Sequence, residues 1–126
     1  MAELSVWHAH FLQLARYNVW ATRRLLDAVA AVPETEYRKD VGLFFKSIHG
    51  TLNHLLVGEH MLWQRRFARG ESPKVALDME AEPDRDRLGQ ALKGGAKTWE
   101  PLIAGWPAER FDGQLSYTNM RGEAMS

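Results

Sequence analysis

Apolar or small residues recur at Trp7, Phe11, Leu14, Asn18, Ala21, Leu25, Ala28 and Val32, in steps that alternate between four and three. That spacing marks one face of an α-helix. It predicts a first helix from Ser5, whose hydroxyl suits an N-cap, to Ala31, with Pro33 ending it. Asn18 is the polar member of the stripe. After a linker from Pro33 to Asp40, a second helix is predicted over Val41 to Ala68. Its main stripe is Phe45, Ile48, Leu52, Leu55, Leu56, Glu59, Leu62, Trp63 and Phe67, and Gly70, Ser72 and Pro73 mark its end. A second face of the same helix carries Gly50, Val57 and Met61, so two sides are expected to be covered. The stretch from Arg69 to Pro83 reads as a loop.

A third helix is predicted from Asp84, its cap, to Ala104, with Leu88, Ala91, Leu92, Trp99 and Leu102 on its apolar face. Gly94-Gly95 weakens its middle, and Pro101 is expected to kink or stop it. From Phe111 to Glu123 aromatic, β-branched and turn residues mix, which reads as a short hairpin or extended connection. Three long helices with short connections predict an all-α, up-down antiparallel bundle, as a single domain over residues 1–126. Three stripes this apolar call for a fourth partner, from the same chain or a second copy.

Composition narrows the function. Sixteen basic residues balance sixteen acidic ones, which argues against nucleic-acid binding, where phosphate contacts demand a basic excess. The pairs Arg23–Arg24 and Arg65–Arg66 read as solvated faces. There is no cysteine, which excludes disulfides, thiolate metal sites and cysteine nucleophiles. Met1 to Ser5 shows no leader pattern, and no apolar run is long enough to span a bilayer. A cytoplasmic location and no membrane partner are the expectation. There is no Gly-rich phosphate loop and no nucleophile elbow.

The histidines are the main candidates for chemistry: His8, His10, His49, His54 and His60. Two ligands on one helix want a spacing of three or four, and no pair has it. His8 and His10 point about 200° apart, His49 and His54 about 140°, His54 and His60 about 120°. His49 and His60 share a face but stand about 16 Å apart along the axis. Any metal site must therefore combine helices. His8 and His10 are expected to be exposed near the N-terminus, His49 to be a hydrogen-bonded core histidine, and His60 to snorkel at the edge of its stripe. His54 points away from Leu52 toward the second face, where its ring needs a partner. Glu59 sits within the stripe, and a salt bridge to Arg16 or Arg23 is its ordinary explanation. Tyr17, Trp20, Trp63 and Trp99 are accounted for by core packing.

Two stretches resemble a known family. Leu14-Ala15-Arg16-Tyr17-Asn18-Val19-Trp20-Ala21 with Leu25-Leu26 is similar to the first helix of DinB-like, damage-inducible proteins, among them the YfiT-like thiol transferases. Ser47-Ile48-His49-Gly50-Thr51-Leu52-Asn53-His54-Leu55-Leu56, followed by Glu59 and Trp63, is similar to their second helix. Leu115 to Ser126 resembles the segment leading into their fourth.

The resemblance implies a dimeric four-helix bundle holding zinc or nickel through three histidines. One is the histidine of the Asn-His-Leu-Leu pattern, here His54, turned toward the cleft where a further helix belongs. The other two form a His-x-x-x-His pair on the fourth helix, and such a pair does not occur up to Ser126. The expectation is a truncated, metal-deficient chain, unless a partner chain or His49, Glu59 and His60 contribute. The implied activity is that of a metal-dependent transferase or hydrolase acting on a small-molecule thiol, with Asn18 or Glu59 supporting His54. The alternative is a non-catalytic, stress-associated dimerisation or binding module. A third possibility, an unrelated three-helix protein, is distinguished by the surroundings of His54.

Overall fold

Ser5 begins the first helix, as its hydroxyl suggests. In the computed structural model, which describes residues 4–126, its side chain accepts from the His8 amide, and the His8 ring answers on the Ser5 amide. This is a capping box with histidine in the place usually taken by Glu or Gln. Residues 1–3, on which part of the N-terminal reading rests, lie outside the described residues. Helix α1 runs over Val6–Ala30. The predicted linker contains a further short helix, α2, Glu34–Arg38. Pro33 therefore starts α2 rather than merely ending α1. Arg85 ties the corner: its guanidinium donates to the Val29 and Val32 carbonyls at the end of α1 and lies 4.1 Å from the centre of the buried Tyr37 ring.

The second long helix starts later than its stripe suggests. Residues 41–46 form a turn instead, with Gly42 and Lys46 at positive φ and a Leu43–Lys46 bridge. Ser47 then caps α3, Ile48–Leu55, accepting from the Gly50 amide at 2.9 Å. A Cβ on residue 50 would stand 2.2 Å from the Phe45 carbonyl oxygen, so glycine lets the turn fold over the helix start. The helix continues as a π-helical segment, Leu56–Trp63, and ends as α4, Gln64–Arg69, stopped by Gly70 at φ 66°. Bonds that reach five residues back change which side chains share a face. Leu52, Val57 and Leu62, five apart, are all buried.

The third helix begins where expected, with Asp84 accepting from the Arg87 amide at 2.8 Å. It divides at Thr98 into α5, Arg85–Lys97, and α6, Trp99–Ala104. Pro101 lies in the first turn of α6, where its missing N–H costs little. The break thus falls three residues before the proline. A 3-10 turn, Ala108–Asp112, leads to a two-stranded antiparallel hairpin, β1 Tyr117–Thr118 with β2 Ala124–Met125. The expected hairpin is present.

Helix α1 packs against α5 and α6, and the π segment packs against α5. One core cluster is Tyr37, Leu52, Leu56, Leu88 and Leu92; a second is Leu12, Ala15 and Ile103, flanked by Trp99, Trp106 and Phe111. The result is an all-α bundle with a small hairpin. No helix among the described residues is long and apolar enough to cross a membrane.

The face that α1 buries is not the predicted one. His8, Leu12 and Ala15 face the core, whereas Trp7, Phe11, Leu14 and Leu25 remain exposed. Because α1 touches only the third helix firmly, the predicted stripe instead forms one wall of a groove. The second helix is the other wall, and α5 and α6 form the floor.

Candidate functional site

His54 is half-buried near the start of the second helix. Its ring stacks on Phe45, centroids 3.9 Å apart and planes 17° from parallel. Its Nδ1 lies 2.9 Å from the Leu77 carbonyl oxygen, on the loop between α4 and α5. A carbonyl only accepts, so Nδ1 carries the proton and Nε2 carries the lone pair. Nε2 makes no hydrogen bond to the described residues. The ring faces Phe45 and Leu77 rather than the groove between α1 and the second helix, because Leu55 and Glu59, not His54, line that groove.

The loop that supplies Leu77 is itself held by the Asn-His motif region. Asn53, 1% exposed, accepts from the Glu82 amide at 2.9 Å and donates to the Glu82 carbonyl at 3.2 Å. His49 is buried, as expected. Its Nε2 donates to Glu80 at 2.8 Å, and its Nδ1 accepts from the Tyr37 hydroxyl at 2.7 Å. Burial raises the Tyr37 pKa above its ordinary value. Both residues therefore bind the loop to α3 and are committed to that task.

His60 is also buried rather than snorkelling, with a side chain 6% exposed. Its Nδ1 accepts from the Trp99 indole at 3.2 Å, so Nε2 bears the proton, pointing at Glu59 from 3.5 Å. Burial pushes its pKa down to about 4. Glu59 pairs with neither Arg16 nor Arg23; Arg16 instead meets Glu100 at 2.6 Å. Glu59 and Asn18 come together on opposite walls of a small cavity of about 110 Å³. They are brought to each other, not to His54.

His10 is exposed as expected, but His8 is 1% exposed. Its Nε2 lies 2.6 Å from the Trp106 carbonyl oxygen, so this ring ties the N-terminus of α1 to the end of α6. Arg66 is likewise buried, whereas a solvated face was expected. The Trp63 and Tyr117 rings enclose its guanidinium, and the π segment turns it inward. The sequence carries no direct signal for either burial. Beside Arg66 opens a larger cavity of about 840 Å³, between α1, α4 and α6.

Among the described residues no three His, Cys, Asp or Glu side chains converge as a metal-binding group. The fold is thus a helical bundle with an open groove between α1 and the second helix, with the His54 ring held by Phe45 and the Leu77 carbonyl. The family model for the DinB family matches residues 6–120, and the chain belongs to that family. No curated protein and no solved structure matches it.

Proposed function

We propose that the protein works as a metal-dependent enzyme of transferase or hydrolase type on a small-molecule thiol, with His54 as one ligand. The observation that carries this reading is the His54 tautomer. A metal-binding histidine commonly donates its second ring nitrogen to a carbonyl or carboxylate, which orients the ring and raises its basicity. The Leu77 carbonyl does this for Nδ1, and Phe45 holds the ring plane. One imidazole fits a divalent ion such as zinc or nickel but does not complete its shell. Further ligands come from outside the described residues, with a second copy as one source. When bound, such an ion lowers the pKa of a thiol or water beside it. The part played by this chain's residues is to present Nε2 and to shield one side of the ring.

Titrating the 126-residue chain with zinc or nickel, followed by calorimetry, tests the reading. Weak uptake that His54→Ala abolishes is the expected result. No uptake, or uptake unchanged by His54→Ala, overturns it.

A second reading, a dimerisation or binding module without catalysis, draws on α1. Its outer face presents Tyr17 and Trp20, 61% and 56% exposed. We propose that this face pairs with its counterpart in a homodimer, which is compatible with either function.

A further inference from the structure

A glycine inside a helix weakens it relative to alanine, so each one invites a reason. Gly50 has one in the Phe45 carbonyl oxygen, and Gly95 in the His60 ring. Gly58 has neither a positive φ nor crowded surroundings. It is half-buried in the π segment, four residues beyond His54. Apart from the helix backbone and its chain neighbours, a Cβ built on it meets one atom within 4 Å, the His54 Cε1 at 4.0 Å. That is ordinary contact. Gly94 is as unconstrained, but the space it leaves adjoins nothing. The space at Gly58 adjoins an imidazole.

Other sides of that ring are already covered. Phe45 stacks on one face, centroids 3.9 Å apart, and the Leu77 carbonyl accepts from Nδ1 at 2.9 Å. Cε1 stands between Nδ1 and Nε2 in the ring, so the edge that looks onto Gly58 leads to the nitrogen bearing the lone pair. Helical side chains lean toward the N-terminus and lie over the residue one turn back. A side chain much longer than a methyl at position 58 would therefore lie over the edge that carries Nε2. This side of the second helix, with Phe45 and Leu77, is separate from the groove beside α1.

We propose that Gly58 holds open the approach to His54 Nε2, by which a divalent ion, and the ligands it brings from outside the described residues, reach the ring. The part played by the ion rests on the metal reading above; the open approach does not.

Two probes separate these parts. Diethyl pyrocarbonate acylates an unprotonated imidazole nitrogen that it can reach, and peptide mass spectrometry of the 126-residue chain reads each histidine separately. His54 and the exposed His10 are expected to react, with His10 as the internal standard. Gly58→Leu is expected to slow His54 at least fivefold relative to His10, and Gly58→Ala less than twofold. Continued protection of the buried His49 and His60 shows that a variant is folded. Should Gly58→Leu fail to fold, the unbranched Gly58→Met takes its place. A His54 that is inert in the wild type, or that reacts equally fast beside the long side chain, overturns the proposal. Zinc titration of the same variants reads the ion. Uptake is expected to fall at least fivefold in Gly58→Leu and to persist in Gly58→Ala; uptake equal in wild type and Gly58→Leu overturns the proposal. Slowed acylation in Gly58→Leu with no zinc uptake by the wild type overturns the metal reading and upholds the open approach.

Discussion

Gly94 and Gly95 sit side by side in α5 but answer to different demands. Nothing lies within 4 Å of a Cβ placed on Gly94, whereas one on Gly95 falls 2.5 Å from two ring carbons of His60. Gly94→Ala is expected to stabilise by about 0.5–1 kcal/mol through helix propensity. Gly95→Ala gains the same term but meets the His60 ring, an overpacking that costs about 1–3 kcal/mol, so it destabilises. Urea unfolding of the two variants checks the opposite signs. His60 itself gives a pH dependence. Its pKa in the fold, about 4, is below its ordinary 6.5. Burial thus outweighs the nearby Glu59 carboxylate, which favours protonation. Between those values the unfolded chain takes up a proton that the folded chain refuses. Stability is then full above about pH 6.5 and declines as pH falls toward 4. The stability difference between wild type and His60→Gln is expected to shrink over that interval, and an unchanged difference would refute the assignment. None of this is legible from the pair Gly94-Gly95, which reads as a weakened helix until the ring above it is known.

At the scale of elements, the second helix shows where periodicity succeeds and where it misleads. Its existence, its end at Gly70 and the inward turn of Leu52 and Leu62 follow from the apolar pattern. A 3.6-residue period also predicts that Leu55, Glu59 and Trp63 continue the core stripe. The π segment instead leaves Glu59 on the wall of the smaller cavity and Trp63 against Arg66 and Tyr117, and no residue type announces a π turn. The start is late for a legible reason: Ser47 is an N-cap candidate three residues before Gly50, but the apolar Val41 and Phe45 disguise it. The loop from Gly70 to Pro83 looks free in the sequence because its tether, Asn53, lies about thirty residues upstream. Asn53→Ala leaves the Glu82 amide and carbonyl without their partner, at about 1–3 kcal/mol. It is expected to release the loop and with it the Leu77 carbonyl that orients His54. Faster protease cleavage between residues 70 and 84, together with weaker metal uptake, is the expected pair of results. Cleavage at the wild-type rate counts against the tether.

At the scale of the molecule, α1 must satisfy more surfaces than one bundle provides. His8, Leu12 and Ala15 face α5 and α6, and Phe11, Leu14 and Leu25 face the groove. The strongest apolar stripe in the sequence therefore marks the groove wall, because periodicity reports that a face is apolar and not what covers it. Tyr17 and Trp20 lie on a third face, with ring centroids 5.6 Å apart and the Arg24 guanidinium 5.7 Å from the Trp20 ring. A two-fold axis passing beside these residues would bury each aromatic pair against its own counterpart, since such an interface is self-complementary. Arg24, at the edge, can remain hydrated while the rings are covered. Placing a carboxylate at position 20 sets two like charges close to that axis without touching the core. Trp20→Glu is accordingly expected to convert a dimer to a monomer in sedimentation, with the helix content by circular dichroism unchanged. A wild-type chain that sediments as a monomer at high micromolar concentration eliminates this interface. A dimer that persists in the variant would place the contact elsewhere, with the groove face of Phe11, Leu14 and Leu25 as the next surface to charge.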